Sequence, residues 1–347
     1  MKLGLQLGYW GAAPPEGAAE LVVEAERSGF DAVFAAESWG SDAFTPLAWW
    51  GSSTSRVRLG TSVAQLSARS PAACAMHALT LDHLSGGRAV LGLGVSGPQV
   101  VEGWYGQPFA SPLARTREYV SIVRQVLARE DRVRNDGPHY PLPYGGPGSV
   151  GLGKPLKPIT HPLRSDVPIL LGAEGPRNVA LAGEIADGWL AVYFSPRVAP
   201  TYREWLREGM ARSGRAEDSF EVVANAQVVV TDDRPTELLR LKPSVALYLG
   251  GMGAPDKNFH ADLFARMGYG EAVEEVRGLF LSGRREEAVL AVPDELVDEV
   301  SLIGTADEVR AKVREWELAG VTTLLVGCRD AGQVRAVAAA VLGAEDL

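Results

Sequence analysis

The spacing of apolar positions changes along the chain, and the clearest change falls between Val57 and Gln99. Val57, Leu59, Val63 and Leu66 form a short apolar run with β-branched members, the pattern of a strand buried on both faces. Ser70-Pro71 then predicts a helix start, a capping hydroxyl followed by a ring that presets φ where a missing N–H costs nothing. Ala73, Met76, His77, Leu79 and Thr80 recur at helical spacing until Ser85-Gly86-Gly87, which tolerates left-handed φ, closes the helix. A second apolar run spans residues 89–95. Two strands joined by such a helix must be parallel, because the crossover is too long for a hairpin.

The same alternation recurs. Strands are predicted at residues 2–8, 30–36, 167–172, 189–194, 222–230 and 324–327, and helices at 16–28, 115–129 and 177–185. The join Ala25-Glu26-Arg27-Ser28-Gly29-Phe30 has a counterpart in Trp316-Glu317-Leu318-Ala319-Gly320-Val321, each a helix end, a C-cap glycine and a buried strand. Strands marked by Lys2, Phe30, Val57, Ala89, Val167, Trp189, Val222 and Thr323 suit a doubly wound sheet or a closed barrel, and their number favours the α/β (β/α)8 TIM barrel. Residues 135–166 form a Pro- and Gly-rich insertion, with Tyr140 and Tyr144 fitting an active-site lid. Residues 231–301 read as a helical and irregular excursion with a Gly-rich loop at 249–258. Thr305 and Glu308 make a capping box, and Glu308 with Lys312 an i,i+4 pair. One domain over 1–347 is expected.

A net charge of −9 without a Lys/Arg run argues against nucleic acid or an anionic membrane as partner. Cys74 and Cys328 lack redox or metal spacing and read as small buried hydrophobes. With no signal-like start and no apolar run of about 18 residues, a cytoplasmic protein is expected.

In a parallel barrel, ligands bind at the carboxyl ends of the strands. The residues there include Gln6, Tyr9, Glu37, Trp39, Ser62, Gln65, Ser96, Gly97, Glu174, Gly175, Tyr193, Asn225 and Gln227. The set is poor in His, Cys and paired carboxylates, so no metal is expected, and it better suits a planar cofactor that brings its own chemistry. No serine or cysteine triad has motif support, and Gly92-Leu93-Gly94 lacks the next glycine of a dinucleotide fingerprint. Leu171 to Asn178 runs from strand into helix and reads either as a phosphate site, with Arg177 nearby, or as a plain turn. Glu37 is a pocket carboxylate or a solvated residue at a helix start. His260 is a second candidate for the barrel mouth, His77 and His83 are expected to be packing or surface residues, and Trp49 and Trp50 are expected in the core.

These residues carry a family resemblance over nearly the whole chain. Lys2 to Trp10, Ala36 to Asp42, Leu59-Gly60-Thr61-Ser62-Val63, Leu81 to Arg88, Gly92 to Gly97, Gly172 to Pro176 and Ala186 to Trp189 resemble the luciferase-like monooxygenase superfamily, and within it the actinobacterial coenzyme F-420-dependent oxidoreductases. The resemblance implies an eightfold barrel holding the deazaflavin F-420, a cis non-proline peptide between Ser62 and Val63, and a cofactor-phosphate loop at Ala173, Glu174, Gly175 and Pro176. By the same resemblance Glu37, Ser62, Val63, Gly94, Val95, Ser96 and Gly97 line the cofactor. Gln6, Tyr9, Trp39, Gln65, Trp104 and Tyr193 are then the substrate-side candidates. Sugar-phosphate dehydrogenases of this family carry Asp-His after the second strand; here Glu37-Ser38 stands there, so the histidine is missing and Glu37, then His260, become the acid or base candidates. The activity implied is hydride transfer between the cofactor's C5 and a small organic substrate, in a homodimer. The alternatives are an FMN-dependent monooxygenase and an F-420-binding protein without turnover.

Overall fold

A computed structural model describes residues 1–252 and 258–343. Ten strands form it: β1 (Lys2–Gln6), β2 (Ala32–Ala35), β3 (Arg58–Thr61), β4 (Ala64–Gln65), β5 (Ala89–Gly94), β6 (Ile169–Gly172), β7 (Gly188–Ala191), β8 (Glu221–Val230), β9 (Ser301–Gly304) and β10 (Thr323–Val326). Eight of them close a parallel barrel in the order β1-β2-β3-β5-β6-β7-β8-β10, with β10 returning to β1. The inward layer is Ala32, Phe34, Val90, Leu170, Leu190, Val223 and Leu325. Gly60 belongs to this packing, because a Cβ there would lie 2.3 Å from the Phe34 ring. The larger apolar cluster lies between the barrel and its helices.

The helix between β4 and β5 begins and ends where its caps predict. Ser70 Oγ accepts the Ala73 N–H at 3.3 Å ahead of Pro71–Ser85, and Gly86 closes it at φ 68°. The recurring join is also present: Phe30 and Val321 donate their N–H groups to Ala25 and Trp316 across Gly29 and Gly320, at φ 82° and 102°.

Several expectations need correction. The helix Pro71–Ser85 buries Cys74, Ala75, Ala78, Leu79 and Leu81 and leaves Met76, one of the residues at the expected spacing, outside; His77 is exposed, one of the two places expected for it. Trp49, expected in the core, is 76% exposed. The strand expected across residues 57–66 breaks into β3 and β4. β8 outruns the barrel: Val223 to Ala226 pair with β10, and Gln227 to Val230 pair with β9, a four-residue strand hidden in the sequence at the end of a helical stretch. The capping box of Thr305 and Glu308 forms, but Lys312 pairs with Asp298 at 2.6 Å rather than with Glu308.

The insertion is fastened at two places, and Tyr140 also lines a cleft with Leu66, Ser67 and Val95. Arg164 holds Asp82 at 2.8 Å and His83 Nε2 lies 2.8 Å from the His161 carbonyl, which docks its second half on the outside of helix Pro71–Ser85. Tyr140 packs edge-on against Tyr119 of helix Pro112–Ala128. The excursion after β8 supplies helices Arg234–Ala246, Phe259–Phe264, Gly270–Leu281, Arg285–Leu290 and Asp294–Glu299. Much of the predicted loop at 249–258 lies outside the described residues. No helix among those described is long and apolar enough to cross a membrane. Cys74 and Cys328 are free thiols, one buried and one half-buried, and burial pushes them up to about 11 and about 12.

Candidate functional site

The carboxyl ends of the strands meet at one mouth. Between β3 and β4 the Ser62–Val63 peptide is cis, where the resemblance puts it. The glycines of β5 and β6 make room for this turn. A Cβ on Gly92 would stand 1.9 Å from the Thr61 carbonyl oxygen, and one on Gly94 2.4 Å from Val63 Cγ2; on Gly172 it would meet Val63 Cγ1 at 3.1 Å. Thr61 Oγ1 donates to the Gly92 carbonyl at 2.6 Å and Gln6 Nε2 to Ser62 Oγ at 3.3 Å, which fixes the turn from both sides.

Glu37, after β2, is buried and fully engaged. Its carboxylate accepts the Gln65 N–H at 2.7 Å and both terminal nitrogens of Arg69, one at 3.0 Å. Gln65 Nε2 adds a bond to the Glu37 carbonyl at 3.1 Å. Burial works against the Arg69 charge, yet the bond and charge of Glu37 outweigh it and raise the guanidinium above its ordinary value. Arg69 is the residue that sequence reasoning missed. Its only signal is a lone arginine immediately before the Ser70 cap.

After β6, Trp189 Nε1 holds the Ala173 carbonyl at 2.7 Å and steadies the loop. Gly175, at φ −90°, leads into helix Pro176–Ile185, whose first turn has no side-chain cap. Among the described residues, beyond its chain neighbours, nothing lies within 4 Å of where a Gly175 Cβ would be. After β5, Ser96 adopts φ 59° and Gly97 precedes helix Pro98–Gly103. Val95, Gly94, Gly172, Ala173 and Asn178 help to line a small cleft between these two loops.

Glu174 turns away from the loop toward the excursion. Its Oε1 lies 2.6 Å from His260 Nδ1. The contact is close but falls short of hydrogen-bond geometry, and Nδ1 and Glu174 Oε2 are each buried without a hydrogen bond. Tyr248, also missed in the sequence, packs edge-on against His260 at 4.7 Å and against Tyr193 at 5.1 Å. Burial first, with the Glu174 charge adding to it, raises the Tyr9, Tyr193 and Tyr248 phenols above their ordinary value, so they remain O–H donors at neutral pH. Tyr9 is 54% exposed. Trp39 and Trp104 stand exposed at the ends of β2 and of the helix after β5.

Two amide oxygens complete the mouth. Gln6 Oε1 and Gln65 Oε1 are buried with no donor. Among the described residues no group of three or more His, Cys, Asp or Glu side chains is arranged to hold a metal.

A barrel with a split third strand and a Gly-Pro helix start after β6 is a class of enzyme architecture rather than one enzyme. The family model for luciferase-like monooxygenases matches residues 4–323, and the chain belongs to that family. Its relatives narrow the class. The chain is 66% identical over 343 residues, 98% of this chain and 99% of the relative, to a protein of Mycobacterium tuberculosis provisionally named coenzyme F-420-dependent oxidoreductase. It is 30% identical over 304 residues, 87% and 86% of the two chains, to a 5,10-methylenetetrahydromethanopterin reductase of Archaeoglobus fulgidus. The solved coenzyme F-420-dependent tetrahydromethanopterin reductase of Methanopyrus kandleri shares the fold with a TM-score of 0.82 over 98% of each chain, at 24% identity.

Proposed function

We propose that the protein is an F-420-dependent oxidoreductase that moves a hydride between C5 of the deazaflavin and a small organic substrate. The observation that carries the reading is the pair of buried, donorless amide oxygens, Gln6 Oε1 and Gln65 Oε1, on either side of the Ser62–Val63 turn. Such atoms cost free energy unless a ligand supplies N–H or O–H groups, and a heteroaromatic ring system bearing them does so. The uncapped start of helix Pro176–Ile185, with Arg177 beside it, suits the cofactor's phosphate. The residues therefore fit the group, and the 66% identical relative carries its name.

Bound there, a deazaflavin supplies two-electron hydride chemistry and, with carbon in place of the flavin's N5, little reactivity toward oxygen, which favours reduction or dehydrogenation over oxygenation. The chain's own work is placement. Gln6 and Gln65 orient the ring through hydrogen bonds, and Val63 backs the mouth against Gly94 and Gly172. Tyr9, Trp39, Trp104 and Tyr193 offer aromatic surface to the substrate. In this reading Glu37 is a structural carboxylate, because every donor it needs is already in place and a proton carrier must exchange partners.

Fluorescence titration of the purified protein with F-420 and with FMN tests the proposal. Tighter binding of F-420 is expected; tighter FMN binding would give the site to a monooxygenase. Tight F-420 binding without oxidation or reduction across a broad substrate panel would make it a carrier. The proposal includes a homodimer, supported by the exposed Met76, Leu84, Leu156, Ile159 and Leu163 along helix Pro71–Ser85 and the insertion docked on it. A monomeric mass by sedimentation at micromolar concentration would remove that part.

A further inference from the structure

We propose that Glu174 and His260 form a carboxylate–imidazole dyad that handles the substrate's proton, with Glu174 as the positioning residue and His260 Nε2 as the proton-carrying atom. The proposal rests on the F-420 reading above and names the group that reading lacks, since Glu37 is locked. Four observations converge on the pair. His260 Nδ1 faces Glu174 Oε1 at 2.6 Å, so the nitrogen left for a ligand is Nε2. The helix carrying His260 is pinned by a buried asparagine: Asn258 Oδ1 accepts the His260 and Ala261 N–H groups at 3.0 and 3.1 Å, while its Nδ2 donates to the Tyr248 and Leu249 carbonyls at 3.1 and 3.0 Å. The Tyr248 ring stands edge-on to the imidazole, and its edge-on contact with Tyr193 at 5.1 Å ties that ring to the end of β7. Finally, Nδ1 and Glu174 Oε2 are buried without hydrogen bonds. A pair kept only as a latch between the excursion and the β6 loop gains nothing from being left unsatisfied, whereas one that completes its geometry when ligand enters does.

The step balances in both directions. In reduction, a hydride pair from a reduced deazaflavin forms the new C–H bond of a substrate C=X group, whose π pair moves onto X. X takes the proton from Nε2–H, and the imidazolium becomes imidazole, to be reprotonated from solvent. In oxidation the imidazole accepts that proton as the hydride leaves. Glu174, beside Nδ1, keeps the ring in place in both directions. The groups shown against the imidazole are the Glu174 carboxylate from the β6 loop and the Tyr248 ring from the excursion.

Two measurements need no substrate. The chain has five histidines, so imidazole ¹⁵N spectra of cofactor-free protein labelled at histidine are simple, and loss of one signal set in His260→Gln assigns the dyad. Glu174→Gln is expected to shift that set and leave the other four; an unmoved His260 overturns the dyad. In wild-type protein, diethyl pyrocarbonate is expected to modify His260, and saturating F-420 is expected to abolish that adduct. The exposed His77 on the outer helix should react regardless. A His260 adduct that persists with F-420 bound overturns the proton role. Failure of F-420 to bind would instead sink the functional reading, and the spectra would still decide the dyad. With a turned-over carbonyl or enone substrate, His260→Gln is expected to lose about 10² to 10⁴-fold in kcat with F-420 affinity kept. Wild-type kcat in that variant also overturns the proposal.

Discussion

The two ends of the barrel are built on opposite principles. At the amino end, Arg58 of β3 reaches the first residue of β8, giving Glu221 two hydrogen bonds at 3.0 and 2.7 Å. Thr323, first residue of β10, adds a third at 2.8 Å. β3 and β8 are not neighbours, so this network braces the barrel across its interior. At the carboxyl end the accounts are open: of the six buried side-chain polar atoms without a partner among the described residues, four belong to Gln6, Gln65, Glu174 and His260. A closed network holds a fold together, and an open one waits for a ligand. Glu37 stands at the carboxyl end but is satisfied like the residues of the amino end. Location at a strand's end therefore identifies a candidate, and satisfaction decides whether it is structural.

The largest effect should come from breaking that satisfied carboxylate. Arg69→Leu leaves Glu37 buried and unpaired, and removing one partner of such a pair costs about 3 to 5 kcal/mol. Urea unfolding should show the loss as a lower midpoint at unchanged slope. A cost below about 1 kcal/mol, as for an exposed pair, would return Glu37 to the list of mobile, functional groups.

The amino end offers the next test, through pH. Burial works to raise the Glu221 carboxyl, but the Arg58 and Thr323 bonds prevail and hold it below the ordinary carboxylate value. A depressed folded value means that the unfolded chain binds the proton first, so this stability is present at neutral pH and is lost as pH falls through the acid range. Glu221→Gln should cost about 1 to 3 kcal/mol at pH 7 and flatten the acid limb of a stability profile. Parallel acid limbs in the two proteins would show that the brace across the barrel contributes nothing.

How much of this was legible in the sequence follows the same division. Caps, C-cap glycines and buried runs write their signal within about ten residues, so the strands of the closed barrel, the Ser70 cap, the Thr305–Glu308 box and the Gly29 and Gly320 joins could be read. The Ser62–Val63 turn was legible only by resemblance, since the glycines that admit it, Gly92, Gly94 and Gly172, lie on other strands. Arg69 and Glu37 are 32 residues apart, and Glu174 and His260 still farther, so neither pairing leaves a local pattern. β9 was lost because four residues after a helix carry no period of their own. Trp49, expected in the core, faces solvent, because an apolar side chain alone does not mark an inward position when much of any folded surface is apolar.

The smallest expected effect sharpens the contrast most. Glu174→Gln removes a carboxylate at the mouth that lies 2.6 Å from a ring nitrogen of His260, and its side chain is only 12% exposed. If burial and proximity alone fixed the energetic role, its loss would resemble that of the Glu37 pair. The contact falls short of hydrogen-bond geometry, however, and Glu174 Oε2 has no donor, so the folded protein gains little from the charge and pays part of its desolvation. Stability should therefore change by less than about 1 kcal/mol in the cofactor-free protein, with either sign, as read from urea midpoints alongside Arg69→Leu. A loss of several kcal/mol would mean that Glu174 is a second Glu37, satisfied in solution and structural, and the division between the two ends of the barrel would no longer locate the chemistry.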